Sequence, residues 1–337
     1  MLPEAVRRLA ASLRGDSGRA AIVAALLAVC WLVVLRQPEG GAAPATPSVG
    51  FQPVPNTSPV PTDFLLKQAA LPKPSTGSSE GSASRTEFIL FQSQALGRPM
   101  HYLAYQPPGY AGGDQRYSTL YMLHGIGGGF GGTVGNETEW PGYGLLTAAD
   151  NLIAGGAIRP LLIIMPEGDQ SYWMDAANGG PKYGTYLVDD VVRDVDSRFR
   201  TVPDRDHRGI GGLSMGGFGS LASAVLRPQV FGIAGAHSPS LAQLDKAPSF
   251  FGEAEYFAQH DPVQLLHGRA ASARSLQLWL DVADQDPQWA ARAEALHEQL
   301  LADGIAHQWH QWPGQHNGVY WGEHMADYLK FYDGALA

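Results

Sequence analysis

Residues 85–337 of this chain predict one doubly wound α/β domain, a mostly parallel sheet with an antiparallel edge at its N-terminal side. Three observations carry that expectation. Strand-like and helix-like segments alternate over about 250 residues, the pattern of βαβ units winding one sheet. The later strand candidates are short, unbroken apolar runs, as a sheet buried on both faces requires. A Gly-x-Ser-x-Gly turn, Gly212 to Gly216, joins one of these strands to a helix. Composition permits such a core: 45% of the 337 residues are hydrophobic and 16% are charged, which excludes a wholly disordered chain.

Taken in order, the first element is a targeting segment. Arg7, Arg8, Arg14 and Arg19 precede an uncharged apolar run from Ala20 to Leu35, which Arg36 closes. As a helix the run spans roughly 24 Å, slightly short of a ~30 Å hydrocarbon core and long for a signal-peptide core. The expectation is an uncleaved transmembrane signal anchor over residues 20–35, with the basic flank in the cytoplasm and the body extracytoplasmic. A cleaved signal peptide, giving a secreted body, is the second reading. Its best small-x-small site, Ala43-Pro44-Ala45, lies far past Leu35 and contains a proline. Leu27-Ala28-Val29-Cys30 is a poor lipobox, because Val29 is large and the apolar run continues. A buried core helix is disfavoured by the arginine flank. Cys30 is the only cysteine, so neither an intramolecular disulfide nor a cysteine-based zinc site is possible.

Residues 37–84 read as a disordered linker. Nine of the 24 prolines fall between Pro38 and Pro74, with Ser, Thr, Gly and Ala filling much of the rest. Such a segment buries too little apolar surface to offset its ordering entropy and is an extended spacer. Residues 1–36 hold five arginines and two acids, so the rest of the chain has 18 basic against 30 acidic residues, a net charge of −12. Nucleic acid is therefore not an expected partner, since phosphate contacts need clustered Lys and Arg.

Within the domain, strands are predicted at Glu87–Gln94, His101–Tyr105, Ser118–Leu123, Leu161–Met165, Arg208–Gly211, Phe231–Ala236, Leu276–Val282 and Ala306–Trp312. The first two read as an edge hairpin. Helices are predicted at Leu145–Ala154, Thr185–Arg198, Gly217–Leu226, Gln288–Asp303 and His324–Tyr332. Pro287 suits the first turn of the fourth, and Asp303-Gly304 its stop.

The chemistry centres on Ser214. A glycine two residues before and another two after it permit a turn tight enough to expose the hydroxyl at a strand's C-terminal end, with a helix N-terminus behind it. A plain Gly-rich turn is the bland alternative. A serine nucleophile needs a histidine base and an orienting acid, in the chain order Ser, Asp or Glu, His. Asp286 follows the Leu276–Val282 strand and precedes a helix, the place for that acid. Asp284 is the runner-up, its bland role being charge at the helix N-terminus, and Asp281 lies within the strand pattern. His316 sits in the loop after the last strand and is the base. His307 and His310 occupy odd and even strand positions and cannot chelate one metal. His324 is expected at the surface, and no His-Glu-x-x-His exists, so no metal site is expected. The oxyanion hole needs two backbone N–H groups, assigned to Met215 and Ile126. Gly127, Gly129 and Gly132 make a lone G-x-G-x-x-G, but no helix opens behind it, so a nucleotide site is not expected.

These segments together resemble the esterase D-like group of α/β-hydrolases, which includes bacterial feruloyl esterases and, more distantly, mycolyltransferases. Tyr121-Met122-Leu123-His124-Gly125-Ile126-Gly127-Gly128 is similar to its oxyanion strand, and Asp206 through Gly217 to its nucleophile segment. Leu280 through Asp286 resembles the acid segment, with Asp286 aligned to the acid, and Gly314-Gln315-His316-Asn317 the histidine segment. The resemblance covers residues 85–337 and implies an α/β-hydrolase fold and ester hydrolysis without a cofactor. Ala283 stands where glycine is common, and Gln315 where a small residue is frequent.

On the substrate side, Trp140, Tyr172, Trp173 and Trp312 lie in or beside loops after strands, where they would stack on an aryl acyl group or a sugar, or else simply pack the domain. Pro239–Ala273 reads as a small lid. The leading expectation is a membrane-tethered serine esterase acting on small-molecule or polysaccharide-linked esters, with no obligate protein partner. An acyltransferase using the same acyl-enzyme, and a binding module without catalysis, are the alternatives.

Overall fold

The computed structural model describes residues 83–127 and 136–337. The apolar run at 20–35, nearly all of the linker, Gly128, Gly129 and Gly132 lie outside the described residues. Among the described residues no helix is long and apolar enough to cross a membrane.

All eight predicted strands form, and they form one sheet. They are β1 (Arg85–Gln92), β2 (Pro99–Gln106), β3 (Thr119–Leu123), β4 (Leu162–Pro166), β5 (Arg208–Leu213), β6 (Ile233–His237), β7 (Gln277–Ala283) and β8 (Gln308–Trp312). Their order is β1-β2-β4-β3-β5-β6-β7-β8. β1 pairs antiparallel with β2, and β2 antiparallel with β4, while every later pair is parallel.

The period of two along β4 shows how the sheet is buried on both sides. Leu162 and Ile164 enter one apolar cluster, Ile163 and Met165 the other. The first cluster is covered by α2, in which Tyr183–Thr185, the π-helical turn Tyr186–Val191 and Val192–Arg198 run on from one another, by α3 (Met215–Leu226) and by α4 (Ala290–Ala302). The second lies under α1 (Leu145–Ala154), α5 (Gly318–Glu323) and α6 (Met325–Ala335). The π turn in α2 places buried Asp190, whose carboxylate accepts from Ser93 Oγ (2.7 Å) and Ala95 N (2.9 Å) and so fastens the β1–β2 connection.

Two glycines decide how α6 sits. A Cβ on Gly211 would lie 1.9 Å from the Tyr332 hydroxyl, and one on Gly235 2.0 Å from it. Only bare backbone at both positions lets Tyr332 lie across β5 and β6.

The segment read as a lid packs into the body instead. Its short helices Ala254–Ala258, Pro262–Gly268 and Ala270–Ala273 bury Phe257, Leu265, Leu266 and Ala273 in the first cluster. Asp261 caps the middle one, accepting from Gln264 N at 3.3 Å. Burial pushes its carboxyl up to about 6, against the lowering effect of the backbone N–H bonds. A carboxyl raised in the folded state contributes nothing adverse below its unfolded value, and stability is lost as pH rises through the folded value. Asp261→Asn keeps the cap without the charge. It should therefore leave stability at pH 4 nearly unchanged and raise it above pH 7, by up to about 3 kcal/mol, as denaturant unfolding at the two pH values will show.

Candidate active site

Ser214 stands at the β5–α3 junction with φ 52° and ψ −116°, a left-handed conformation costing a serine about 1–3 kcal/mol. Its neighbours enforce it. A Cβ on Gly212 would lie 2.3 Å from the Gly216 carbonyl, and one on Gly216 2.2 Å from Leu123 O. The turn is therefore closed to any larger residue at either position. Ser214 N–H donates to His237 O at 3.0 Å, tying the turn to the end of β6.

The structure brings Ser214, His316 and Asp286 together. His316 Nε2 lies 2.9 Å from Ser214 Oγ, and His316 Nδ1 lies 2.7 Å from Asp286 Oδ2. With Nδ1–H donating to the carboxylate, Nε2 carries the lone pair that accepts the serine proton. Asp286 is 2% exposed, and its other oxygen accepts the N–H groups of Gln288 (3.1 Å) and Trp289 (3.0 Å), which fixes the carboxylate's direction. Asp284 is exposed and does something else: its carboxylate accepts Gly314 N–H at 3.0 Å and anchors the loop leading to His316. The Trp321 indole and the His316 ring meet in a T-shaped contact, ring centres 5.0 Å apart.

Met215 is the first residue of α3, so its N–H has no partner within the helix. Ile126 follows β3 in the facing loop, half-buried. Three side chains hold that loop. Trp140 Nε1 donates to Leu123 O at 2.9 Å, and Trp173 Nε1 to His124 O at 3.3 Å. Glu139 accepts Gly125 N–H at 2.6 Å and Tyr143 OH at 3.2 Å, and burial pushes its carboxyl up to about 7. His124 is buried; its Nδ1 donates to Gly125 O (2.7 Å) and its Nε2 accepts Gly168 N–H (2.8 Å). Burial lowers it to about 4, so the ring is neutral at pH 7.

This corrects the substrate assignment of three aromatics. Trp140, Tyr172 and Trp173 are at most 2% exposed and offer a ligand no surface. The two tryptophans hold the loop after β3, and the Tyr172 hydroxyl meets Ser240 Oγ at 3.2 Å. Trp312 is half-buried but committed, stacked between His310 (4.7 Å) and His324 (3.9 Å). His324 is accordingly not a surface residue; it joins α5 to α6 under Trp312.

Sequence reasoning missed two groups. Glu139 carried no signal beyond being an acid next to a tryptophan. Asp281, set aside as a strand residue, is fully buried with His237 Nδ1 (2.7 Å), Trp279 Nε1 (2.7 Å), Tyr320 OH (2.8 Å) and Tyr328 OH (3.2 Å) around it. It is a second histidine–aspartate pair, with no hydrogen bond to Ser214 Oγ, that ties β6, β7, α5 and α6 together.

Chemically, a hydroxyl bonded to a carboxylate-oriented imidazole, beside free N–H groups at a helix start, suits attack on an acyl carbon and stabilisation of the resulting oxyanion. Comparison with known proteins agrees. The family described as "Putative esterase" matches residues 93–332. An endo-1,4-beta-xylanase/feruloyl esterase of Xylanibacter ruminicola is 32% identical over 152 residues, 43% of this chain and 20% of the relative. An esterase of Mycobacterium tuberculosis is 30% identical over 158 residues, 46% of this chain and 32% of the relative. The chain thus spans only a fifth to a third of the length of these curated relatives. The structure of a ferulic acid esterase superposes with a TM-score of 0.67 at 21% identity, covering 75% of this chain and 99% of that one, and establishes the shared α/β-hydrolase fold.

Proposed function

The chain belongs to this esterase family, and we propose that it is a serine carboxylic-ester hydrolase acting through an acyl-enzyme on Ser214. The observation that carries the reading is the hydrogen-bonded line Ser214–His316–Asp286 on a strained strand–helix turn. His316 Nε2 takes the Ser214 proton as Oγ attacks the ester carbonyl. The oxyanion is met by the N–H groups of Met215 and Ile126. Collapse expels the alcohol, which receives the proton from His316, and a water activated by the same nitrogen releases the acid. Asp286 holds the tautomer and stabilises the imidazolium.

For substrate we propose feruloyl, acetyl or other short acyl esters of small molecules or polysaccharides, supported by the feruloyl esterase named among the relatives. We place the domain outside the cytoplasm, tethered through residues 20–35, on the strength of the arginine-flanked apolar run alone. The test is a panel of p-nitrophenyl, feruloyl and acetyl-sugar esters in the presence of excess glucose or trehalose. Free acid should dominate, because the loop between β3 and the helical turn at Glu139 is rich in glycine and polar residues and carries no long apolar insertion to exclude water. Acyl-sugar as the main product at modest acceptor concentration would replace hydrolysis with acyl transfer.

A further inference from the structure

Away from the triad, three potential metal ligands converge from three parts of the fold. His101 is on β2, Glu137 is in the short helical turn Asn136–Thr138, and Glu167 directly follows β4. One ligand atom from each lies within 4.8 Å of the other two. His101 Nε2 is 3.3 Å from Glu137 Oε1.

The second observation is an unmet valence. Glu137 is only 4% exposed, and its Oε2 is buried with no hydrogen-bond partner. A buried carboxylate oxygen left unpaired loses its hydration for nothing, and a second carboxylate beside it adds repulsion. His101 meets the other oxygen, Glu137 Oε1, and leaves Oε2 unanswered, and the remaining basic groups nearby do not reach it. His124 is neutral and already accepts Gly168 N–H. Arg98 donates to the Tyr183 hydroxyl. Glu167, by contrast, is held in place, with Oε2 accepting Asn136 N–H (2.6 Å) and Oε1 accepting Asp169 N–H (2.7 Å).

We infer that His101, Glu137 and Glu167 form a binding site for a divalent transition-metal ion. One imidazole nitrogen and two carboxylates suit zinc best, with water completing the coordination through the partly exposed His101 side. At metal–ligand lengths of about 2.1 Å, tetrahedral ligand atoms lie roughly 3.4 Å apart; His101 Nε2 and Glu137 Oε1 already stand at 3.3 Å, so only Glu167 has to move in on binding. The ion would satisfy Glu137 Oε2 and neutralise the carboxylate pair. It would also clamp β2 and the end of β4 to the segment entering Glu139 and Trp140, the side chains that hold the oxyanion loop. This is a structural role, and no step of ester cleavage passes through it. Sequence spacing gave no sign of it, because the ligands are 36 and 30 residues apart and meet only through the sheet.

The test uses the full chain, stripped with a chelator and titrated with zinc chloride by calorimetry, with thermal unfolding measured in parallel. Wild type should bind one equivalent and unfold at a higher temperature when loaded. Glu137→Gln, which keeps shape and removes charge, and His101→Ala, at a partly exposed position, should each weaken that binding more than about 10-fold and lose the thermal shift. His316→Ala should retain both, which separates this site from zinc taken up by the triad histidine. Absence of a stoichiometric site, or equal binding in wild type, Glu137→Gln and His101→Ala, would overturn the assignment. The second outcome would mean that the two carboxyls share a proton and that zinc binds elsewhere.

Discussion

Replacing Ser214 with alanine is expected to lower kcat by about 10⁶-fold, the scale on which serine-triad knockouts elsewhere fall. The size follows from the geometry. Among the described residues His316 Nε2 has one hydroxyl within hydrogen-bond reach, and it is Ser214 Oγ at 2.9 Å. Without it there is no acyl-enzyme, and what remains is the binding and oxyanion stabilisation that water alone can exploit. Ser214 is buried and its side-chain removal disturbs little, so the variant should fold with unchanged circular dichroism. A fluorophosphonate probe should label wild type and leave Ser214→Ala unlabelled. Near-normal turnover in the folded variant would remove Ser214 from the mechanism.

The second largest effect is expected at Asp286. Asp286→Asn should reduce kcat by about 10⁴-fold, because an amide at this position can donate to Nδ1 and stabilise the tautomer whose Nε2 already bears a proton. That histidine can no longer accept from Ser214. Asp284→Asn should cost far less. Its contact is acceptance of Gly314 N–H, which an asparagine oxygen reproduces. Steady-state kinetics of the two single variants ranks them, and the reverse ranking would reassign the acid. The predicted signature for Asp286→Asn is a fall in kcat with KM little changed, since the buried carboxylate is 2% exposed and faces the histidine.

Much of this was legible in the sequence. The strands were legible because a sheet buried on both faces needs continuous apolar runs, and Leu161–Met165 and Leu276–Val282 are such runs. The nucleophile turn was legible because backbone crowding at Gly212 and Gly216 leaves one residue type possible. The chain order of serine, acid and histidine then narrowed the remaining positions. The short helix Gly318–Glu323 was not legible. Glycine, valine and aromatic residues have weak helix propensity, and the helix exists because Asn317 accepts the N–H groups of Val319 and Tyr320 while Tyr320 and Trp321 are buried.

The loop aromatics misled for a different reason. Trp140 and Trp173 occupy positions where sequence cannot tell a rim from a buttress. Their indole N–H groups reach the carbonyls of Leu123 and His124, and those bonds draw them beneath the site instead of over it. Glu139 is similar: an acid in an irregular stretch reads as surface charge, and only the fold shows it accepting Gly125 N–H.

The central claim is that chemistry passes through an ester on Ser214. Rapid mixing of the protein with a feruloyl ester, acid quench and mass spectrometry of the digested chain tests it most directly. The account predicts a transient feruloyl adduct on the peptide containing Ser214, decaying as free ferulate appears, and absent from Ser214→Ala. Turnover of that ester with no adduct in Ser214→Ala-sensitive form, or an adduct on any other residue that decays at the rate of product release, would contradict it.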